Sequence, residues 1–205
     1  MNFCARSYAI NRINTDNNIY DMSCDVANGK KANGKIEIRK DFLSRFGINK
    51  IKSFDVLFWA YDNDKNYKSF DTGQIEIKTS LFNGDFEEIS GECIFEKHGI
   101  RIDYLYNSGN KYTYCLTNNT GNYINFDVDN ITINDYTSSE IDYDLKGIIV
   151  LNNCQSLFTV EVSDNFCLEN EISFIEKIEF TLDIRPVESY IDSWNTELIL
   201  KKIKN

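Results

Sequence analysis

The chain has 205 residues, 42% of them hydrophobic and 26% charged, with a formal net charge of −10, a balance that suits a folded protein and argues against disorder. Its acidity would repel phosphate backbones and its basic residues form no stripe, so nucleic acid is not an expected partner. No window approaches about 18 consecutive apolar residues, and the opening MNFCARSYAINRIN has neither a basic nor an apolar leader region; no membrane insertion by this chain is expected.

Taken in order, residues 1–13 alternate as a strand and 14–18 are turn material. Residues 19–26 read as a second strand closed by Asn28-Gly29, and Asn33-Gly34 is a further turn ahead of a period-two strand at 35–38. Asp41 is placed to cap a short helix carrying Phe42, Leu43 and Phe46, with Gly47 supplying the positive φ that stops it. The longest strand of this half is 51–61, where Phe54, Val56, Phe58 and Ala60 alternate with Asp55, Leu57, Trp59 and Tyr61. A loop at 62–68 and a strand at 72–79 follow. Residues 80–96 form a passage ending in a short strand at 92–96, then come strands at 100–106 and 111–117, a turn at 118–122 and a strand at 123–133.

Beyond that point the sequence repeats itself. Residues 26–78 lie on 150–202 without a gap at a shift of 124 (150 − 26), with ten identities in 53 positions: Val26, Asn28, Glu37, Phe42, Ile48, Ile51, Ser69, Thr72, Ile75 and Lys78 all recur. The counterpart of the long strand keeps Ile178, Phe180, Leu182 and Ile184 apolar but carries Glu179, Thr181, Asp183 and Arg185 on the other face, which makes the first series the core face in both copies. Asn165 stands at the cap of the second helical turn, with Phe166 and Leu168 behind it. Asn11-Arg12-Ile13-Asn14 matches Ile131-Thr132-Ile133-Asn134 at a shift of 120 (134 − 14), implying a four-residue insertion between the matched blocks. The strands at 100–117 have no counterpart in the first copy, which begins about one strand pair short. The expectation is an all-β protein of two tandem β-sandwich domains, each with one short helical turn: residues 1–90 as an N-terminally incomplete repeat and 91–205 as a complete one. The missing strands are expected from a longer gene product, from the linker or from a second molecule.

The chemistry-bearing residues are sparse. Cys4, Cys24, Cys93, Cys115, Cys154 and Cys167 show no C-x-x-C spacing and do not recur between repeats, so neither a zinc site nor a disulfide framework is expected, and no cofactor is implied. His98 is the only histidine and reads as a surface turn residue. Asp62, Asp64 and Asn66 have the first spacings of a calcium loop without its glycine or closing glutamate. The groups Asp127/Asp129/Asp135 and Asp142/Asp144 are what chance gives in so acidic a chain, and no carboxylate pair is singled out for catalysis. The most informative feature is Leu57, Trp59 and Tyr61: three large side chains on the face opposite the core series, to be covered by the linker or neighbouring domain, or left as a partner or self-association surface.

Asp25-Val26-Ala27-Asn28-Gly29-Lys30-Lys31-Ala32-Asn33, Ser69-Phe70-Asp71-Thr72 and its echo Ser193-Trp194-Asn195-Thr196, together with Leu116-Thr117-Asn118-Asn119-Thr120, resemble repeats of Gram-positive, largely clostridial proteins. The resemblance implies tandem immunoglobulin-like sandwiches, usually in exported or membrane-anchored proteins, and transfers no catalytic residue. It leads to the expectation of a non-enzymatic protein-interaction or adhesion-type module at the cell surface or secreted. A cytosolic immunity or inhibitor-type protein and a carbohydrate-binding module are the alternatives.

Overall fold

The computed structural model describes residues 2–15, 23–27, 29–61, 69–137, 147–186 and 194–202. The chain divides into two compact units, residues 1–87 and 88–205. Both are built from antiparallel strands, with one short helix each.

Unit 1 contains β1 (Asn2–Ile10), β2 (Ile13–Asn14), β3 (Ser23–Asp25), α1 (Lys40–Arg45), β4 (Ser53–Tyr61) and β5 (Ser69–Lys78). β1 is flanked by β3 and β4, β4 pairs onward with β5, and β2 folds back on the end of β1. Tyr8, Ile10 and Val56 are its fully buried apolar centre, against which Ile36, Ile38, Phe42, Leu43, Phe54 and Phe58 pack half-exposed.

Unit 2 contains β6 (Glu92–Lys97), β7 (Ile100–Ser108), β8 (Lys111–Asn118), β9 (Ile124–Ile133), β10 (Tyr136–Thr137), β11 (Ile148–Val150), β12 (Cys154–Glu161), α2 (Asp164–Glu169), β13 (Lys177–Pro186) and β14 (Trp194–Lys202). It is a sandwich. One sheet runs β12-β8-β7-β6 and the other β10-β9-β13-β14, with β11 on β9. Between them Tyr114 stacks on Phe158 (5.1 Å, 17°) and meets the edge of Phe180 (5.4 Å, 72°). Each such fully buried side chain contributes about 1.5–3 kcal/mol.

The repeat holds at the level of hydrogen-bond register. β4 pairs with β5 as β13 pairs with β14: Ser53↔Lys78 matches Lys177↔Lys202, Trp59↔Asp71 matches Asp183↔Asn195, and both ladders slip at the same place, after Leu57 and after Thr181. α1 and α2 occupy equivalent positions, and Ile48 N donates to Leu43 O at 2.8 Å as Ile172 N does to Cys167 O at 2.8 Å.

Four expectations are corrected. The strand expected over 1–13 is broken at Asn11-Arg12, both with left-handed backbone (φ 51° and 65°), which turns β1 into β2. Its counterpart is the Asn134-Asp135 turn (φ 47° and 74°), so the equivalence is Asn11 with Asn134, a shift of 123 (134 − 11), and the insertion between blocks is one residue, not four. The helix caps are Arg39 and Ser163, not Asp41 and Asn165: the Ser163 hydroxyl accepts from Phe166 N at 3.1 Å, whereas Arg39 offers no acceptor and Asp41 sits in the first turn, ion-paired to Arg39. Finally, residues 35–38 form no strand. Their counterpart in unit 2 is part of β12, which is a strand because β8 lies alongside it; among the described residues unit 1 has no element equivalent to β8, and a lone run of N–H and C=O groups has nothing to form a ladder with. Of the strand expected over 19–26, only β3 falls within the described residues.

Candidate functional site

β4 runs between β1 and β5, so its outward residues form a row with theirs. Trp59 lies opposite Cys4 on one side and Asp71 on the other, and Tyr61 opposite Asn2 and Ser69. A bulge in β1 lets Arg6 reach over this row, because the pairing passes from Ala5↔Phe58 to Ser7↔Leu57 and leaves Arg6 without a place in the ladder. Its guanidinium carbon stands 5.9 Å from the Trp59 ring centre, and Nη1 donates to Asp71 Oδ2 at 3.0 Å. The second bulge, between β4 and β5, is filled by Thr72, whose hydroxyl accepts from Phe58 N at 3.2 Å. The Phe-Asp-Thr motif is thereby explained: Thr72 satisfies a backbone donor and Asp71 anchors Arg6.

The three side chains singled out from the sequence part company. Leu57 is fully buried, at 0% exposure, and belongs to packing. Trp59 is 39% exposed and Tyr61 half-buried, their ring centres 5.3 Å apart at 44°. Together with Arg6 and Asp71 they form an aromatic surface edged by an ion pair, able to stack on a flat or apolar group while donating and accepting hydrogen bonds at its rim. Burial raises the pKa of the neighbouring Cys4 thiol against the pull of Arg6, so the thiol adds no charge at neutral pH. Arg6 was not legible in the sequence, since a bulge leaves no composition signal. Asp71 stood in the quoted motif without a role.

The remaining candidates resolve into structural parts. His98 and Gly99 form the tight β6–β7 turn with φ of 53° and 80°. Asn118, fully buried, donates through Nδ2 to the carbonyls of Asn122, Val150 and Leu151 and accepts from Thr120 N and Oγ1; its amide holds the β8 corner together. Asp135 pairs with Lys177 at 2.6 Å, and Asp127 accepts from Gly147 N. Asp62, Asp64, Asn66, Asp142 and Asp144 lie outside the described residues. Among the described residues no cluster of His, Cys, Asp or Glu could hold a metal ion, and no helix is long and apolar enough to cross a membrane. No disulfide joins any of the six cysteines.

One surface escaped the sequence reading altogether. Beside α2, Cys167, Leu168, Ile172 and Phe174 line a cleft of about 490 Å³ together with Asn107 and Tyr112; Leu168 and Phe174 are 76% and 69% exposed. Unit 1 has Ser44 and Lys50 at the places of Leu168 and Phe174, so this apolar lip belongs to the second copy only. Comparison of the chain with protein-family models, with curated proteins and with solved structures finds no match.

Proposed function

We propose that the chain is a non-catalytic protein-interaction or adhesion-type module of a bacterial surface or exported protein. The observation that carries this reading is the outer face of β4. There unit 1 presents Trp59 and Tyr61 beside the Arg6–Asp71 pair, where the same places in unit 2 hold Asp183 and Arg185, ion-paired to each other. Two copies with one hydrogen-bond register have diverged on a face that the fold does not need to be aromatic. Aromatic and Arg side chains are the usual anchors of protein interfaces. A carbohydrate-binding role is the second reading, favoured by the inclined ring pair next to hydrogen-bonding charged groups.

Trp59→Ala and Tyr61→Ala test both. Expected is loss of self-association or partner binding, followed by sedimentation velocity, with the thermal midpoint within a few degrees of the parent. Unchanged association with lowered stability would assign the two rings to packing. Glycan-array binding that disappears in Trp59→Ala would replace the protein partner with a sugar.

A further inference from the structure

Unit 2 shows what the described residues of unit 1 lack. Its inner β9-β13-β14 face is roofed by β12-β8-β7-β6, with β8 paired along β12 and β6 in contact with β14. In unit 1 the counterparts of β12 and β14 are residues 30–37 and β5. No backbone hydrogen bond joins residues 31–38 to any other segment among the described residues. On β5 the side chains that share the core face with Phe54, Val56 and Ala60 are Ile77, Ile75 and Phe70, and they remain 51%, 41% and 49% exposed. The vacant edge and the bare face are the two places that the β8–β6 sheet covers in the complete copy.

We infer that residues 31–38 accept an antiparallel β-strand from a separate polypeptide, whose hairpin partner covers Phe70, Ile75 and Ile77. The chemistry of that strand follows from the repeat. In unit 2 the outward residues of β12 face β8 as Gln155↔Thr117, Thr159↔Thr113 and Glu161↔Lys111, and the inward pair Phe158↔Tyr114 fills the core. The equivalent outward residues of unit 1 are Lys31, Lys35 and Glu37, and Gly34 stands in place of Phe158. Among the described residues Lys35 and Glu37 pair only with each other, at 3.6 Å on the open surface, and their side chains are 79% and 68% exposed, so an incoming strand can reach both. The incoming strand therefore carries carboxylates opposite Lys31 and Lys35, a basic residue opposite Glu37, and large apolar side chains between them, one of which uses the room left by Gly34. Opposite charges directly across a ladder stabilise it and like charges destabilise it, so this pattern sets both register and partner. The inference deepens the interaction reading by naming the kind of partner. It uses the inner side of the unit 1 sheet, whereas Trp59 and Tyr61 lie on the outer side, so the two fail independently.

The test adds synthetic hairpins to the full chain. One has the sequence of residues 98–119, the other the same sequence with Thr113→Glu and Thr117→Glu, retaining Lys111. Binding is followed by fluorescence anisotropy and located by hydrogen exchange. Expected is binding of the acidic hairpin about fivefold tighter than the parent hairpin at low salt, the gap closing at high salt, with slowed exchange over 31–38 and 69–78. In the full chain carrying Lys31→Glu and Lys35→Glu, both substitutions at exposed sites, the preference reverses toward a hairpin with Thr113→Lys and Thr117→Lys; Trp59→Ala leaves it unchanged. Binding by neither hairpin, equal binding by both, or protection over 154–161 in place of 31–38 overturns the inference. So does concentration-dependent dimerisation that protects 31–38 and that no hairpin displaces, since the occupant would then be a second copy of the chain.

Discussion

Asn134 ties the β9–β10 turn to the segment leading into β13, and its removal should be felt through three separate bonds. Its Nδ2 donates to Phe174 O at 2.5 Å, while Oδ1 accepts from the backbone N–H of Glu176 at 2.8 Å and of Lys177 at 3.0 Å. Asn11 makes the same three contacts in unit 1, to Lys50 O at 2.8 Å and from Lys52 N and Ser53 N at 2.6 and 3.1 Å. Each bond is partly solvated, so about 0.5–1 kcal/mol apiece is appropriate. Asn134→Gly keeps the left-handed backbone and loses all three, a cost of about 1.5–3 kcal/mol. Asn134→Ala loses the same bonds and adds roughly 1 kcal/mol for a Cβ at φ 47°, giving about 2.5–4 kcal/mol. Asn134→Asp retains both acceptor bonds and the tolerance for positive φ, and should cost about 1 kcal/mol. The order Asp, Gly, Ala is the substance of the prediction, read from urea unfolding with hydrogen exchange to place the change at 174–178. An alanine variant within about 0.5 kcal/mol of the parent, or an aspartate variant as damaged as alanine, would refute the clamp.

Three further outcomes follow from single positions. A Cβ at Gly91 would stand 2.2 Å from the Tyr104 carbonyl oxygen, so Gly91→Ala should lose about 1–3 kcal/mol in denaturant unfolding, and an unchanged midpoint would mean the chain there is free to move aside. Glu171 ends α2 at φ 54° where unit 1 uses Gly47 at φ 62°; Glu171→Gly should gain about 0.5–1 kcal/mol, and the reciprocal Gly47→Glu should lose stability. Asp55 is 3% exposed and holds a hydrogen bond from Gln74 to Oδ1 but none to Oδ2; burial, outweighing that bond, raises its carboxyl pKa. A raised folded pKa means the folded state binds the proton more tightly, so stability from this group is full below the ordinary carboxylate range and is lost as pH rises through the folded value. Asp55→Asn should therefore be the more stable protein at pH 7, with the advantage disappearing on acidification; a pH-independent difference would point to a packing effect instead.

Alternation and turn chemistry were legible because they answer to local causes. Phe54, Val56 and Phe58 face the core as the period-two pattern required, and Gly47 takes the positive φ that stops α1. The failures have non-local causes. The KIEI run at 35–38 has every local mark of a strand, but a ladder needs a neighbour, and the sequence of a segment does not announce whether one is present. The Asn11-Arg12 turn was hidden because neither residue is glycine, and its positive φ is held by contacts to Lys50, Lys52 and Ser53 some 40 positions away. Leu57 and Trp59 are two residues apart on one face and have exposures of 0% and 39%, a difference set by what lies over each end of the strand, not by the strand itself.

The two copies share ten of 53 aligned residues yet keep the same strand register, the same bulge in the β4–β5 and β13–β14 ladders and the same asparagine clamp. Backbone hydrogen bonding is indifferent to most side chains, so the pattern survives as long as inward positions stay apolar and the turn and bulge residues stay able to adopt their backbone angles. Identity then accumulates where a side chain bonds to backbone or closes the core, as at Ile48, Ile51 and Phe42. Everything else is free to diverge, and the direction of divergence becomes informative. Unit 2 spends its outward β13 positions on Asp183 and Arg185, which pair with one another, while unit 1 keeps Trp59 39% exposed beside the half-buried Tyr61, at a cost in exposed apolar area that the fold alone does not require. A surface held against that cost, in the copy whose described residues form no second sheet, is the ground on which recognition is proposed for unit 1.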